Sequence, residues 1–383
     1  MTIETTEIRG IVQPGYEPVR DAFAANFVEG RELGAGFAAQ IDGETVIDIQ
    51  AGTASRDGTR DWTADTLVPV FSTTKPIASI MVALVIDRAG DALPLGHETP
   101  VAEVWPEFAA EGKDAYTIAE VLSHQAGLPG FVEPIDPGLW FDHDGLAAAL
   151  AGAKPLWPRG EGSGYHPLTW GYLAGEIVRR IDGRTLGTVL REEITHGGDA
   201  ATEFWIGLPE AEHHRVADMQ RPRAVPDLGD LNEATKAAFL TKWAAPDRGG
   251  AIWRSVEIPS ANGIGTARAV AELYQLYANG FEWTGRPLFH GETTARALTR
   301  SRVHGPDKVL PFTIDFASGV MRNSHGVYGP EPAAFGHSGW GGSMALGDPV
   351  RRLSCAYVMN RQDNTLQGDP RAVRLVEALY GCL

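Results

Sequence analysis

Cysteine and positive charge are both scarce in this chain. Only Cys355 and Cys382 occur among 383 residues, too few to staple so much chain, and neither belongs to a Cys-x-x-Cys pair of the metal-gripping kind. Lysine plus arginine reaches 33 against 49 aspartates and glutamates, a net charge of −16. So acidic a surface repels phosphate backbones, which sets nucleic-acid binding aside. Long apolar runs are missing as well: the most apolar helical stretch, 77–86, falls far short of the ~20 residues a membrane span needs. The chain begins MTIETTEIRG, with no basic start leading into an apolar run, so no secretory leader is read there and a soluble, cytoplasmic protein is expected. There is no HExxH, and the pair His213-His214 has no matching carboxylate spacing, so no metal and no cofactor is expected. No serine occupies a Gly-x-Ser-x-Gly frame. Ser338 in GHSGW comes closest, but Trp340 takes the last glycine position, which argues against an α/β-hydrolase elbow.

What is present is a globular balance, 43% hydrophobic and 21% charged, enough for one large domain or two medium ones. Residues 12–32 read as an amphipathic helix after a Pro-Gly turn, with Val19, Phe23, Phe27 and Val28 near helical spacing. Residues 37–52 read as a β-hairpin turning at Asp42-Gly43, a pair suited to the positive φ of a type I′ turn. From about 76 to 280 the signal is mainly helical and loop-like, including a helix over 169–183 that stops at Asp182-Gly183. Residues 341–360 read as two strands around an Asp-Pro turn, and 369–381 as a closing helix with Asp369 as N-cap and Pro370 in its first position. The fold class expected is α+β. Residues 1–70 and 300–383 form an antiparallel sheet flanked by the N- and C-terminal helices. A mainly helical region, 71–299, is inserted between them, with a cleft where the two meet.

The sharpest local signal is FSTTKP, 71–76. Ser72 and Lys75 stand three apart just before an apolar helical run, so the amine and the hydroxyl share one helix face. Of the six lysines, only Lys75 has serine three positions earlier. Two readings stay open on these residues alone. Ser72 is the cap of a helix and Lys75 is solvated, or Lys75, with its pKa lowered by burial, takes the proton of a nucleophilic Ser72. Tyr165 on its own reads as a loop tyrosine. Trp140, Phe141, Trp157 and Trp340 read either as core or as lining of an apolar pocket.

STTK at a helix start resembles the Ser-x-x-Lys motif of serine β-lactamases and penicillin-binding proteins. Tyr165-His166-Pro167 resembles the Tyr-x-Asn second motif, and His337-Ser338-Gly339 the Lys-Thr-Gly third motif. VLSHQAGLPG (121–130) and GIGTAR (263–268) match supporting stretches of the same family, in order. Pro167 replaces the Asn that holds the substrate amide in β-lactamases, and His337 replaces the lysine near the substrate carboxylate. That combination is similar to the family VIII carboxylesterases, which share the class C β-lactamase fold. The resemblance implies a serine hydrolase that cleaves small to medium carboxylic esters, with a small-molecule ester as its partner. Ser72 would be nucleophile, Lys75 and Tyr165 the coupled acid–base pair, and the backbone N–H groups of Ser72 and Trp340 the oxyanion hole. His337, Ser338 and Gly339 would support substrate or Tyr165. A β-lactamase, a D-amino-acid peptidase and an acyltransferase are alternatives on the same fold. The preferred ester and the oligomeric state are not readable.

Overall fold

The computed structural model describes residues 7–90, 95–197, 201–222, 224–247 and 249–383. Its main sheet has nine strands: β1 (Arg9–Val12), β2 (Gly34–Ile41), β3 (Glu44–Gly52), β4 (Val303–Pro306), β5 (Thr313–Phe316), β6 (Met321–Arg322), β7 (Phe335–Ser338), β8 (Met344–Asp348) and β9 (Leu353–Met359). All neighbours run antiparallel, in the order β1-β3-β2-β9-β8-β7-β6-β5-β4. The expected hairpin is β2–β3, and Asp42 (φ 52°) and Gly43 (φ 82°) both take the positive φ of its turn.

Side-chain parity splits this sheet between two cores. Phe37, Ala39, Cys355, Tyr357 and Met359 face one side, where helix α1 (Glu17–Val28) and the C-terminal helix pack together. Ala38, Ala345, Ala356 and Val358 face the other, against a helix over Ala267–Ala278. The residues on this second face are small because the helix lies close: a Cβ on Gly347 would stand 2.7 Å from the Tyr274 carbonyl oxygen. The terminal helices flank the sheet as expected. Both terminal helices share one face, and the opposite face is covered by a helix of the inserted region.

Two local expectations change. Ile11 and Val12 belong to strand β1, paired with Asp48 and Ile47, so the first helix starts only at Glu17. Val28 lies nine residues beyond Val19, half a turn off the buried stripe, and is 60% exposed. The closing helix follows its reading: it spans Pro370–Tyr380, and the Asp369 carboxylate accepts the Arg371 N–H at 2.9 Å.

Helix α2 (Lys75–Ala89) runs through the middle of the molecule and is buried on every side from Lys75 to Ile86. It packs on helix α3 (Thr169–Asp182), which ends on Gly183 at φ 87°, as its sequence predicts. The inserted region is not purely helical. A three-stranded sheet of Val68–Pro69, Gly263–Gly265 and Phe204–Ile206 sits at the start of α2 and fixes the turn that leads into it. Among the described residues no helix is long and apolar enough to cross a membrane.

Candidate active site

Ser72 lies in a tight turn, Phe71–Thr74, that runs directly into α2, and its hydroxyl caps nothing. Phe71, just before it, adopts φ 49°, a conformation costly for a bulky side chain and held here by the surroundings. The turn is tied down from three directions. The Val70 N–H donates to the Gly263 carbonyl at 2.9 Å. Thr74 Oγ1 donates to the Phe71 carbonyl and accepts the Gly263 N–H. Ser343 Oγ donates to the Val70 carbonyl at 2.7 Å, which fastens the end of the main sheet to the same turn.

Around Ser72 Oγ stand Lys75 Nζ at 3.2 Å and the Tyr165 hydroxyl at 2.6 Å, themselves 2.9 Å apart. Three residues separated by up to 93 positions thus close a triangle. Lys75 is fully buried and, among the described residues, has no carboxylate paired with it; its Nζ also donates to the carbonyls of Pro167 (2.9 Å) and Ser260 (3.0 Å). Burial pushes its pKa well below the ordinary 10.5. A neutral amine has two N–H bonds and one lone pair. In that form, with both N–H bonds spent on the two carbonyls, its one lone pair is left for a hydroxyl of the triangle. Tyr165 moves the other way, its pKa raised mainly by burial, so the phenol keeps its proton.

Tyr165 is held at both ends. Its ring stacks on Phe316 (6.2 Å, 11° between planes) and lies 4.8 Å from the ring of His124. Its backbone N–H donates to Asp307 Oδ1 at 2.9 Å; the same oxygen accepts from Val309 and Leu310, while Oδ2 accepts from Ser163. Next to it, the His166 N–H donates to His124 Nδ1, His166 Nε2 accepts the Leu128 N–H, and His166 Nδ1–H therefore donates to the Gly164 carbonyl. The supporting stretch 121–130 thus braces the tyrosine loop from behind.

His337, buried on β7, does not hydrogen-bond Tyr165. Its Nδ1–H donates to the carbonyl of its own neighbour Ser338 at 2.8 Å, and its ring stands 6.1 Å from that of Tyr165. Among the described residues its Nε2 is a buried acceptor without a partner, and burial lowers its pKa to about 3, so it is neutral. Ser338 Oγ accepts the Gly368 N–H. Trp340, at the end of the His-Ser-Gly segment, gives its carbonyl to Gln362 Nε2 and stacks on Phe239.

Ser72, Tyr165, His337, Ser338 and Trp340 line one cavity of about 50 Å³, whose remaining wall is apolar and includes Phe71, Phe239, Trp253, Phe312 and Met321. Of the four aromatics singled out from the sequence, Trp340 alone lines it. Trp157 is buried core, and the buried Trp140 and half-buried Phe141 border a separate cavity behind α3. Phe239, Trp253 and Phe312 carry no sequence signal, because loops from distant segments bring them together. Asp307 and the Ser260 carbonyl are unreadable for the same reason. Among the described residues no three His, Cys, Asp or Glu side chains converge as a metal-ligand set.

A family model described as Beta-lactamase matches residues 19–379. The protein named Esterase/beta-lactamase LipL of Mycobacterium tuberculosis is 35% identical over 367 residues, 92% of this chain and 82% of that protein. A solved penicillin-binding protein homolog from Caulobacter crescentus superposes with a TM-score of 0.94 at 50% identity, covering 99% of this chain and 100% of the other. A solved family VIII carboxylesterase superposes at 0.89 with 40% identity, covering 98% and 100%.

Proposed function

Since the chain belongs to the β-lactamase family, we propose that it is a serine carboxylesterase working through an acyl-enzyme on Ser72. The observation that carries this reading is the closed triangle of Ser72 Oγ, Lys75 Nζ and the Tyr165 hydroxyl. Serine is a poor nucleophile until a neighbouring base accepts its proton, and a buried, neutral amine within contact range is such a base. Ser72 Oγ attacks the ester carbonyl carbon, and its proton passes to Lys75 directly or through the Tyr165 hydroxyl. The two form one titrating unit. The oxyanion would rest on the backbone N–H groups of Ser72 and Trp340, a pair whose loss of one member costs about 2.7–4 kcal/mol of transition-state stabilisation. The tetrahedral carbon then expels the alkoxide, which takes the proton back through Tyr165 and leaves as the alcohol. Water repeats the sequence on the acyl-enzyme, releasing the acid and restoring Ser72.

The apolar wall and small volume over Ser72 support small acyl groups. The relative's double name makes β-lactam cleavage the second reading. Pro167 and a neutral His337 count against it, because neither offers the amide or the cation that family members place there. The test is intact-protein mass after exposure to an aryl phosphonate, together with 4-nitrophenyl butyrate turnover. One label mapping to residues 71–76, and turnover lost in Ser72→Ala, are expected. Labelling elsewhere, or wild-type turnover in Ser72→Ala, overturns the assignment. Nitrocefin cleavage far faster than ester cleavage would replace it by the second reading.

A further inference from the structure

The cavity over Ser72 adjoins a larger vestibule of about 770 Å³, and Phe71, Trp253 and Trp340 wall both spaces. Among the described residues, three arginines line this vestibule: Arg56, Arg221 and Arg254. Two of them are engaged. The Arg56 guanidinium donates to the Met219 carbonyl, and Arg221 faces Asp247 at 3.8 Å. Arg254 differs. Its Nε is buried and has no hydrogen-bond acceptor, and among the described residues its guanidinium has no ion-pair partner. Asp218, the acid whose field reaches it, lies outside ion-pair distance, its Oδ2 accepts the Arg56 backbone N–H at 3.3 Å, and Arg60 opposes that field.

A guanidinium keeps its charge at any working pH, so half-burying it without an acceptor is unfavourable. In a chain with 49 acidic residues, selection of a partner from within the protein was not constrained by supply. The position is also telling. Arg254 belongs to the short helix Ala251–Ser255 and follows Trp253, whose ring packs 6.1 Å from Phe71, the neighbour of Ser72. The unpaired charge thus stands one residue from the wall of the reaction cavity. Its planar fork of N–H donors fits a carboxylate in bidentate fashion.

We propose that Arg254 anchors a carboxylate carried by the ester substrate, so that the preferred substrates are anionic esters. This rests on the esterase reading above and adds a substrate class to it. The carboxylate can belong to the acyl part, as in a monoester of a dicarboxylic acid, or to the alcohol part, as in an ester of a hydroxy acid. Two substrate pairs separate these sources: mono-4-nitrophenyl glutarate against its methyl-capped diester, and 4-acetoxybenzoate against its methyl ester. In the wild type, at least one anionic member should exceed its capped partner at least tenfold in kcat/KM. That ratio should fall at least tenfold in Arg254→Gln, chiefly through KM, and recover in part in Arg254→Lys. Glutarate should also inhibit the wild-type enzyme competitively, at least tenfold more tightly than glutaramide, a measurement that needs no variant. The proposal is overturned if neither anionic ester is preferred, if the preference survives Arg254→Gln, or if glutarate and glutaramide inhibit alike. Failure of the esterase reading looks different: the capped, neutral esters would then not be hydrolysed, or would be hydrolysed equally well by Ser72→Ala.

Discussion

A Cβ placed on Gly339 would stand 2.3 Å from the carbonyl oxygen of Val70 and 2.1 Å from Ser343 Oγ. Gly339 follows β7, and Val70 opens the turn that carries Ser72, so the absence of a side chain at 339 is what lets sheet and turn meet. The same approach leaves Ser343 within reach of both the Val70 carbonyl and Thr73 Oγ1. Gly339→Ala must push the strand away and carry Trp340 with it. We expect a stability loss of about 1–3 kcal/mol from overpacking, with kcat falling more than KM rises. Urea unfolding and steady-state kinetics on a neutral ester check both. Near-wild-type kcat in a folded Gly339→Ala protein would show that the spacing is not critical.

Tyr165→Phe removes only the oxygen that touches Ser72 Oγ and Lys75 Nζ, and leaves the ring stacked on Phe316. The fold should survive. The hydrolysis rate should drop by roughly 10²–10⁴-fold, the range usual for loss of a positioned proton-transfer group. A variant that keeps a tenth or more of wild-type kcat would remove the phenol from the proton path.

In the mechanism proposed above, the working form pairs a neutral Lys75 amine with a neutral Tyr165 phenol. Burial favours both, lowering the pKa of the first and raising that of the second. Lowering the pH protonates the amine and removes its lone pair, so kcat/KM should fall on the acid side. Because Lys75 titrates well below 10.5, that fall should lie on the acid side of an ordinary lysine, with no second rise as pH passes through 10.5. A pH profile of kcat/KM on a neutral ester decides it. Activity that keeps climbing through 10.5 would mean an ordinary, solvated lysine.

Acid should unfold this protein through its buried histidines. Burial lowers His97 to about 4, and His166 and His337 to about 3, against 6.5 in an unfolded chain. The folded values are depressed, so between 6.5 and about 4 the unfolded state binds protons that the folded state does not. Stability therefore falls as pH falls through this window, by up to about 1.4 kcal/mol per pH unit for each such histidine. Urea midpoints measured from pH 7 to pH 4.5 should decline, and His337→Asn should shallow the slope. A flat midpoint across that range contradicts the buried, neutral state of these rings.

Parts of this molecule were legible from residues alone. Asp42-Gly43 announces its turn because few other pairs tolerate two successive positive φ angles. Asp369-Pro370 announces a helix start because a carboxylate can take an orphan N–H and proline has none to lose. Ser72 and Lys75 share a helix face by their spacing, but only the order of motifs favours a contact over a cap and a solvated amine. Tyr165 was reachable only through the order of motifs, since nothing local distinguishes it from the other tyrosines. Strand β1 was missed because two apolar residues, Ile11 and Val12, are too short a pattern to separate a strand from a helix start.

The sequence by itself determined which groups of this protein could react: one serine with an amine a helical turn away, no metal-type cysteine pair, and too little positive charge for a polyanion. Only the tertiary structure decided how they would behave. A lysine's basicity depends on what surrounds it. The burial that lowers the pKa of Lys75, the Pro167 and Ser260 carbonyls that accept from its Nζ, and the Asp307 clamp on Tyr165 all come from segments distant in the chain. Arg254 is the clearest case, since an arginine is charged in any sequence, but whether a partner meets it is settled only when the chain has folded.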